Sequence, residues 1–568
     1  CHVPAELVAG AKWWGVTAQL YSLRSAGDWG LGDFSTLREL VQHAAGAGAA
    51  FIGLNPLHAL FPADPDHVSP YSPSSRHYLN VAMIEVPRVV GFATHPTVRR
   101  QVESEAFQAE LRRLRELRHA DAAGVMALKL PLLRALHEAF RREQLAQGTA
   151  LGDAFRRYRA AEGEALELQA TFDALQSQMR ALDSSHWGWD SWPAQYRDAR
   201  GPAVRDFALR NAVDVEFHAW LQWLAQAQLA EVQALAHRLG MPIGVYGDYA
   251  VGVNAGGAET WADAATYCLG AGIGAPPDSL ALLGQDWGIP PQSPDVLRAT
   301  GGAPFRALIR SNLRHFGALR IDHVMALYRQ WWVPRGRKAS EGGYIHYPLE
   351  LLLDVLAEES RSHGCLIVGE DLGTVPEAIR VTLPARAVHS YKVALFERVA
   401  GDAFRAPRDY TPGALAVLST HDLPTLRGWW EGEDIDLRHR LNLYPSAEVR
   451  DGLRWDRGVD KWRFLEALRA EGIAPAQPVD GAGPYTPELA VALHRFLGRT
   501  RSALAAVQVE DLALEADPVN VPGTDREHPN WRRRLRQEVP ALFTEPEPRA
   551  ILAAIATGRR EAARGQEP

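Results

Sequence analysis

Eight short runs rich in Val, Ile, Leu and Ala punctuate the chain, each passing into polar residues and then into a stretch with apolar positions at helical spacing. They cover residues 15–20, 50–57, 243–250, 318–325, 365–371, 391–396, 414–420 and 504–509. Such alternation is what βα units around a parallel sheet produce. Eight units predict an α/β fold closed as a (β/α)8 TIM barrel, with its active site at the C-terminal ends of the strands. Between the second and third runs, residues 93–240 carry apolar side chains three and four apart, among them Phe107, Leu111 and Leu114, then Phe217, Trp220, Leu221 and Leu224. A large, mainly helical insertion is expected there. The chain thus divides into 1–92 (first part of the barrel, with a substrate loop), 93–240 (insertion), 241–540 (remainder of the barrel) and 541–568 (C-terminal helix or tail). Thr486-Pro487-Glu488 signals a helix start, Thr486 being the N-cap and Pro487 the first residue, followed by Leu489, Leu493 and Leu497 and a stop at Gly498. The acidic cluster from Glu431 to Asp436 reads as a solvated loop.

Composition narrows the partners. The 568 residues are 46% hydrophobic and 23% charged, ordinary for a globular chain with a sizeable core. A formal charge of −7 provides no basic field for nucleic acid or an anionic membrane, and no obligate protein partner is evident, so a small or neutral ligand is expected. Cys1, Cys268 and Cys365 are too few and too scattered for a disulfide framework or a zinc cluster, which fits a reducing, cytoplasmic setting. Residues 41–61 lack Asp, Glu, Lys and Arg, but Gly46, Gly48, Gly53 and Asn55-Pro56 interrupt them, so they read as core strand and not as a membrane span. The chain opens on Cys1 without a signal-peptide pattern, and upstream residues are expected to have been removed or omitted; a lipidated N-terminal cysteine is the alternative.

Three of the strand-like runs end in carboxylates: Leu319-Arg320-Ile321-Asp322-His323, Val368-Gly369-Glu370-Asp371-Leu372-Gly373 and Leu418-Ser419-Thr420-His421-Asp422-Leu423-Pro424. Strand alternation projects Arg320 and Asp322 to one face and turns His323 to the other. An arginine beside an aspartate favours the anion, which suits a nucleophile. Glu370 follows Leu366, Ile367 and Val368, where desolvation would hold its proton toward neutral pH, as a general acid needs. Two carboxyl groups in such unlike settings are what retaining glycoside chemistry requires. Asp422 would brace the ring hydroxyls of a flattening sugar, with His421 or His323 donating hydrogen bonds. Tyr71 and Trp287 are expected in Gly- and Pro-punctuated loops, suited to stacking against sugar faces. The aromatic turn from Ser185 to Trp192 reads as packing against the barrel, and at least one ring of each pair Trp13-Trp14, Trp331-Trp332 and Trp429-Trp430 is expected to pack. Taken singly, an acidic strand end is more often a loop cap or an ion pair than a catalyst; three in sequence on candidate strands favour the catalytic reading. A metal site is the other chemical reading, but no H-x-x-x-H, C-x-x-C or EF-hand spacing supports it, so no metal and no cofactor are expected.

Beyond these residues, Trp29-Gly30-Leu31-Gly32-Asp33, Asn55-Pro56-Leu57, Ser69-Pro70-Tyr71, Gly284-Gln285-Asp286-Trp287-Gly288, Leu319 to His323, Gly369 to Pro376, Ser419 to Thr425, Asn520-Val521-Pro522-Gly523-Thr524 and Asn530-Trp531-Arg532 follow one another. In this series the chain resembles the 4-α-glucanotransferases, or amylomaltases, of the α-amylase superfamily, over nearly its whole length. The resemblance implies Asp322 as nucleophile, Glu370 as acid/base and Asp422 as transition-state stabiliser. It also implies substrate contacts from Tyr71, Asp248, Gln285, Trp287, Arg320, His323, His421 and Asn520. Asp248 stands in Asp-Tyr-Ala where compact members read Asp-Ser-Ala. The long insertion is similar to that of larger bacterial maltodextrin enzymes, whose extra N-terminal β-domain is not seen here. The expected activity is transfer of α-1,4-glucan segments between a maltodextrin donor and a glucan or glucose acceptor. A retaining α-1,4-glucan hydrolase and a non-catalytic glucan-binding protein are the alternatives.

Overall fold

The computed structural model describes residues 1–277, 283–476 and 481–565, so the last three residues of the C-terminal segment lie outside it. Eight strands form a closed barrel: β1 (Trp13–Ala18), β2 (Phe51–Leu54), β3 (Gly244–Tyr249), β4 (Ala318–Ile321), β5 (Leu366–Gly369), β6 (His389–Val393), β7 (Ala414–Val417) and β8 (Leu504–Gln508). Each lies within or overlaps one of the eight apolar runs. All neighbours are parallel, and the barrel shuts where β1 pairs with β8, Trp13 opposite Leu504 and Thr17 opposite Gln508. The strands are almost wholly buried, because side chains fill the barrel inside and helices cover it outside. This is the predicted (β/α)8 barrel.

Between the hairpin strand Ser75–Leu79 and β3 stand the helices Pro96–Glu103, Glu105–Glu116, Ala122–Phe140, Ala150–Leu182, Pro202–Arg210 and Ala212–Arg238. The last packs against both Ala150–Leu182 and the helix Phe34–Gly46 that follows β1. Its buried Gln222 and Gln228 extend strand-like pairing to the segment beneath. Gln222 exchanges two bonds with the Leu79 backbone (3.0 and 2.9 Å), and Gln228 two with Glu85 (2.8 and 3.0 Å).

A single buried ammonium ties these helices to the barrel. Lys129, in the middle of Ala122–Phe140, donates to Asp33 Oδ2 (2.9 Å) and to the carbonyls of Ala82 and Ile84 (both 2.8 Å). Asp33 uses its other oxygen to cap Phe34–Gly46 through the Ser35 N–H (2.9 Å). At the far side of the barrel, helix Pro546–Arg564 lies against Pro487–Gly498, where a Cβ on Gly498 would sit 2.6 Å from the Ile555 carbonyl. Arg559 from that helix donates to the carbonyls of Gly498, Thr500 and Ala503, satisfying backbone that leads into β8. Thr486 caps Pro487–Gly498 through the Leu489 N–H (3.2 Å), as its sequence predicts.

Two expectations change. The cluster from Glu431 to Asp436 is helical and not a loop: Leu426–Glu431 ends, Gly432 takes a left-handed conformation, and Glu433–Arg440 begins. Glu433, Asp434 and Asp436 occupy its first turn, where the helix dipole favours anions, and Asp434 holds Arg457 through two 2.9 Å bonds. The Trp287 segment is likewise a strand, Gln285–Ile289, at the edge of an antiparallel sheet with Ala271–Ala275, Arg329–Pro334 and Gly343–His346. Its hydrogen-bonded partner, Ala271–Ala275, belongs to the same loop after β3, and the loop after β4 adds the other two strands on the far side of that partner. The neighbouring helix Ala447–Ala470 keeps Gly452 and Gly458 in its interior, each less favourable than Ala by about 1 kcal/mol. A Cβ at either would meet nothing within 4 Å. Among the described residues no helix is long and apolar enough to cross a membrane.

Replacing Lys129 by Met removes one member of a buried ion pair, so unfolding free energy should fall by about 3–5 kcal/mol in a denaturant titration. A loss below about 1 kcal/mol would show that the Asp33 cap holds without its cation.

Candidate active site

The site is assembled where backbone pairing outlasts the strands. Asp248 on β3 stands opposite Arg320 on β4, and Arg320 opposite Val368 on β5. Beyond the strand ends the Asp322 N–H still donates to the Tyr249 carbonyl and the Glu370 N–H to the Ile321 carbonyl (3.0 Å each). Asp322 and Glu370 therefore leave adjacent strands side by side. The chain then turns sharply: His323 adopts φ 46°, a left-handed conformation. Alternation predicts His323 on the reverse face of a continuing strand, but β4 has already ended, and the turn points its backbone N–H at Glu370 Oε2 (2.9 Å).

Arg320 is the hub. One guanidinium nitrogen donates to both oxygens of Asp248 (2.8 Å each), and another lies 2.9 Å from Asp322 Oδ1. The guanidinium also sits over the Tyr391 ring at 5.6 Å. Tyr71, from the loop after β2, donates its hydroxyl to Asp248 Oδ2 at 2.7 Å. Burial pushes the Asp248 carboxyl up, and the Arg320 charge opposes it. Burial, reinforced by Asp248, also raises the Tyr71 hydroxyl well above its ordinary value, so it remains a donor.

Glu370 is 7% exposed, and burial pushes its carboxyl up to about 7. Arg320 and the backbone N–H groups of Leu372 (2.7 Å) and His323 oppose the rise, while Asp322 adds to it. Asp422, from the loop after β7, behaves oppositely. Burial would raise it, but His421 at 3.2 Å, the Asn520 amide at 2.7 Å and the Arg320 charge hold it at about 2. Its side chain is 48% exposed, and these partners hold it as the anion. Burial alone would lower the His421 pKa; the adjacent Asp422 raises it instead.

Aromatic contacts join the remaining residues. The Tyr71 ring stacks on His421 (centroids 5.1 Å apart), and Trp287 meets His323 edge-on at 5.4 Å while donating its indole N–H to Gln285 (3.1 Å). All eleven residues singled out in the sequence thus fall in one contiguous arrangement. Two more belong beside them. Trp531, at φ 59°, touches both Tyr71 (5.4 Å) and His421 (5.5 Å), and Tyr391 flanks Arg320. Trp531 stands within Asn530-Trp531-Arg532, and Tyr391 shares an inward alternation with His389 and Val393, so each carries a local signal of its position. The turn around Trp187 and Trp192 packs instead, with Trp192 fully buried against Phe172 and Trp187 stacked on His67. Among the described residues no three His, Cys, Asp or Glu side chains are grouped to hold a metal ion.

A closed parallel barrel with carboxylates at the ends of β4, β5 and β7 defines a class: barrel enzymes acting on glycosidic bonds. Comparison with known proteins narrows it. Residues 18–539 match the family model described as 4-alpha-glucanotransferase. The chain is 37% identical over 559 residues to a 4-alpha-glucanotransferase of Haemophilus influenzae, covering 96% of this chain and 79% of that protein. It is 36% identical over 574 residues to one of Mycobacterium tuberculosis, covering 98% and 75%. The crystal structure of amylomaltase from Corynebacterium glutamicum superposes with a TM-score of 0.84 at 31% identity, covering 97% of this chain and 76% of that one. The chain belongs to the 4-α-glucanotransferase family, and it is an enzyme of glycosyl transfer.

In infrared spectra, the difference between the parent and Glu370→Gln should contain a protonated-carboxyl band that fades as pH rises through about 7. Subtracting the variant is necessary because burial raises Asp173 and Asp511 to about 7 as well. A band already lost in the ordinary carboxylate range, near 4, would contradict this electrostatic picture.

Proposed function

We propose that Asp322, Glu370 and Asp422 carry out glucan transfer by double displacement. Asp322 attacks the anomeric carbon of a bound maltodextrin while Glu370 gives its proton to the departing glycosidic oxygen, leaving the donor segment as an ester on Asp322. Glu370, now a carboxylate, takes the proton from the 4-hydroxyl of an incoming glucan or glucose. That oxygen attacks the anomeric carbon, the ester bond breaks, and Asp322 is regenerated. Asp422 accepts hydrogen bonds from ring hydroxyls as positive charge develops. Tyr71, Asp248, Gln285, Trp287, Arg320, His323, His421 and Asn520 hold the sugar rings.

The observation that carries this reading is the contrast between neighbours. Arg320 stands 2.9 Å from Asp322, whereas burial keeps the Glu370 carboxyl up near 7. The partners are a maltodextrin donor and a glucan or glucose acceptor, with no role for nucleic acid, membrane or an obligate protein. The three cysteines form no disulfide with one another, consistent with a cytoplasmic setting.

Maltotriose is the discriminating substrate. Transfer yields glucose together with chains longer than three units; glucose and maltose alone would mean hydrolysis, and unchanged maltotriose would mean binding without catalysis. Asp322→Asn should lower kcat by about 10⁴-fold or more with an unchanged circular dichroism spectrum, and substantial residual turnover would place the nucleophile elsewhere. Because Glu370 must begin protonated, kcat should decline on the alkaline side as pH rises through about 7. A rate constant that is level from pH 6 to well above that point would remove Glu370 from the acid role.

A further inference from the structure

Two tryptophans lie far from any core. On helix Ala447–Ala470, Trp455 is 76% and Trp462 58% exposed, although indoles are ordinarily among the most buried side chains. They are seven residues apart, hence on one face of the helix and roughly 10 Å apart along it. Gly452 and Gly458 flank Trp455 at the i−3 and i+3 positions. Both have open space where a Cβ would be, so packing does not require them, yet they weaken the helix. Their effect is to leave the sides of the Trp455 indole uncovered.

The same face carries Glu448, Asp451 and Glu466, with Arg469 at its end paired to Glu466. Arg450 pairs with Asp451 at 2.7 Å, and three more of the helix's cations are turned to anchoring it. Arg454 pairs with Asp436, Arg457 holds Asp434 and the Trp429 carbonyl, and Lys461 donates to the Trp430 carbonyl at 3.0 Å. The anchor is thus the pair of helices Leu426–Glu431 and Glu433–Arg440, which follow the Asp422 loop, so the exposed face belongs to the excursion between that loop and β8. Apolar rings interspersed with hydrogen-bond acceptors suit a neutral, hydroxyl-rich chain and repel an anionic one. Two indoles present roughly 150–250 Å² each, well short of the roughly 800 Å² per partner that a stable protein interface buries.

We infer that Trp455 and Trp462 form a second, non-catalytic binding platform for α-1,4-glucan chains, holding a long substrate to the enzyme away from the bond being exchanged. Sugar rings stack on the two indoles while their hydroxyls donate to the carboxylates at either end of the pair. The inference rests on the glucan-transfer reading for the identity of its ligand.

The test is native electrophoresis through gels containing amylose, using the full chain in an Asp322→Asn background so that the polymer is not consumed. Trp455→Ala/Trp462→Ala should weaken retardation by about fivefold or more. In the active enzyme the same pair should raise KM for amylose by a similar factor while leaving kcat on maltotriose within about twofold. Gly458→Leu keeps both indoles but fills the space beside Trp455; it should raise the melting temperature and still weaken retardation. Equal retardation of parent and double variant would overturn the platform. So would sedimentation showing that the parent is a dimer which the double variant dissolves, because the indoles would then serve a second copy of the chain. Lack of longer products from maltotriose would instead defeat the transfer reading, leaving the gel result to judge the platform independently.

Discussion

The forked ion pair of Arg320 with Asp248 and Asp322 is the constraint on which the site depends. It joins adjacent strands β3 and β4 in a buried setting, where an unpaired charge would cost several kcal/mol. Once Arg320 is fixed, the carboxylates around it have little freedom. Asp248 is pinned by both oxygens and receives Tyr71, while Asp322 is held beside the strand that delivers Glu370. The same cation works against the rise of Glu370, so the value near 7 is a balance in which burial prevails.

A second constraint is how the chain covers the barrel mouth. Tyr71 reaches Asp248 from the loop after β2, Trp287 reaches His323 from a sheet edge contributed by the loop after β3, and Asn520 reaches Asp422 from the segment beyond β8. These contacts span 177, 36 and 98 residues of sequence, and the first and third are made to acidic groups presented by the barrel. Rigidity comes from beneath. Lys129 locks the helical insertion to the cap of the first barrel helix, and buried glutamines pair with the segment that leads out of the substrate loop. Long loops carry the contacts, while strands and caps fix where those loops begin.

The exposed face of helix Ala447–Ala470 follows another rule. The protein's other tryptophans are buried or half-buried, Trp192, Trp220 and Trp430 wholly so. There, two indoles face solvent beside glycines that fill no tight space. Local stability is lower than the helix could reach, a departure found more often at functional surfaces than at structural ones.

By itself the sequence determined the strands and the acidic groups they carry. Each of the eight runs is apolar because a barrel strand is buried on both faces, and a polar break must follow where it meets solvent, so Asp322, Glu370 and Asp422 are legible from local pattern alone. The helix cap at Thr486 is legible as well, since its bond closes within three residues. What only the tertiary structure decided are relations between distant segments. The left-handed turn at His323 depends on Glu370 receiving its N–H, the hairpin that carries Trp287 is extended into a sheet by strands from the loop after β4, and the helix at Glu433–Arg440 gains Arg457 across the fold. The unlike ionisation of Glu370 and Asp422 belongs here as well. Both are single carboxyls at the mouth of one barrel, and only the neighbours that folding supplies, burial for one and His421 with Asn520 for the other, drive them apart.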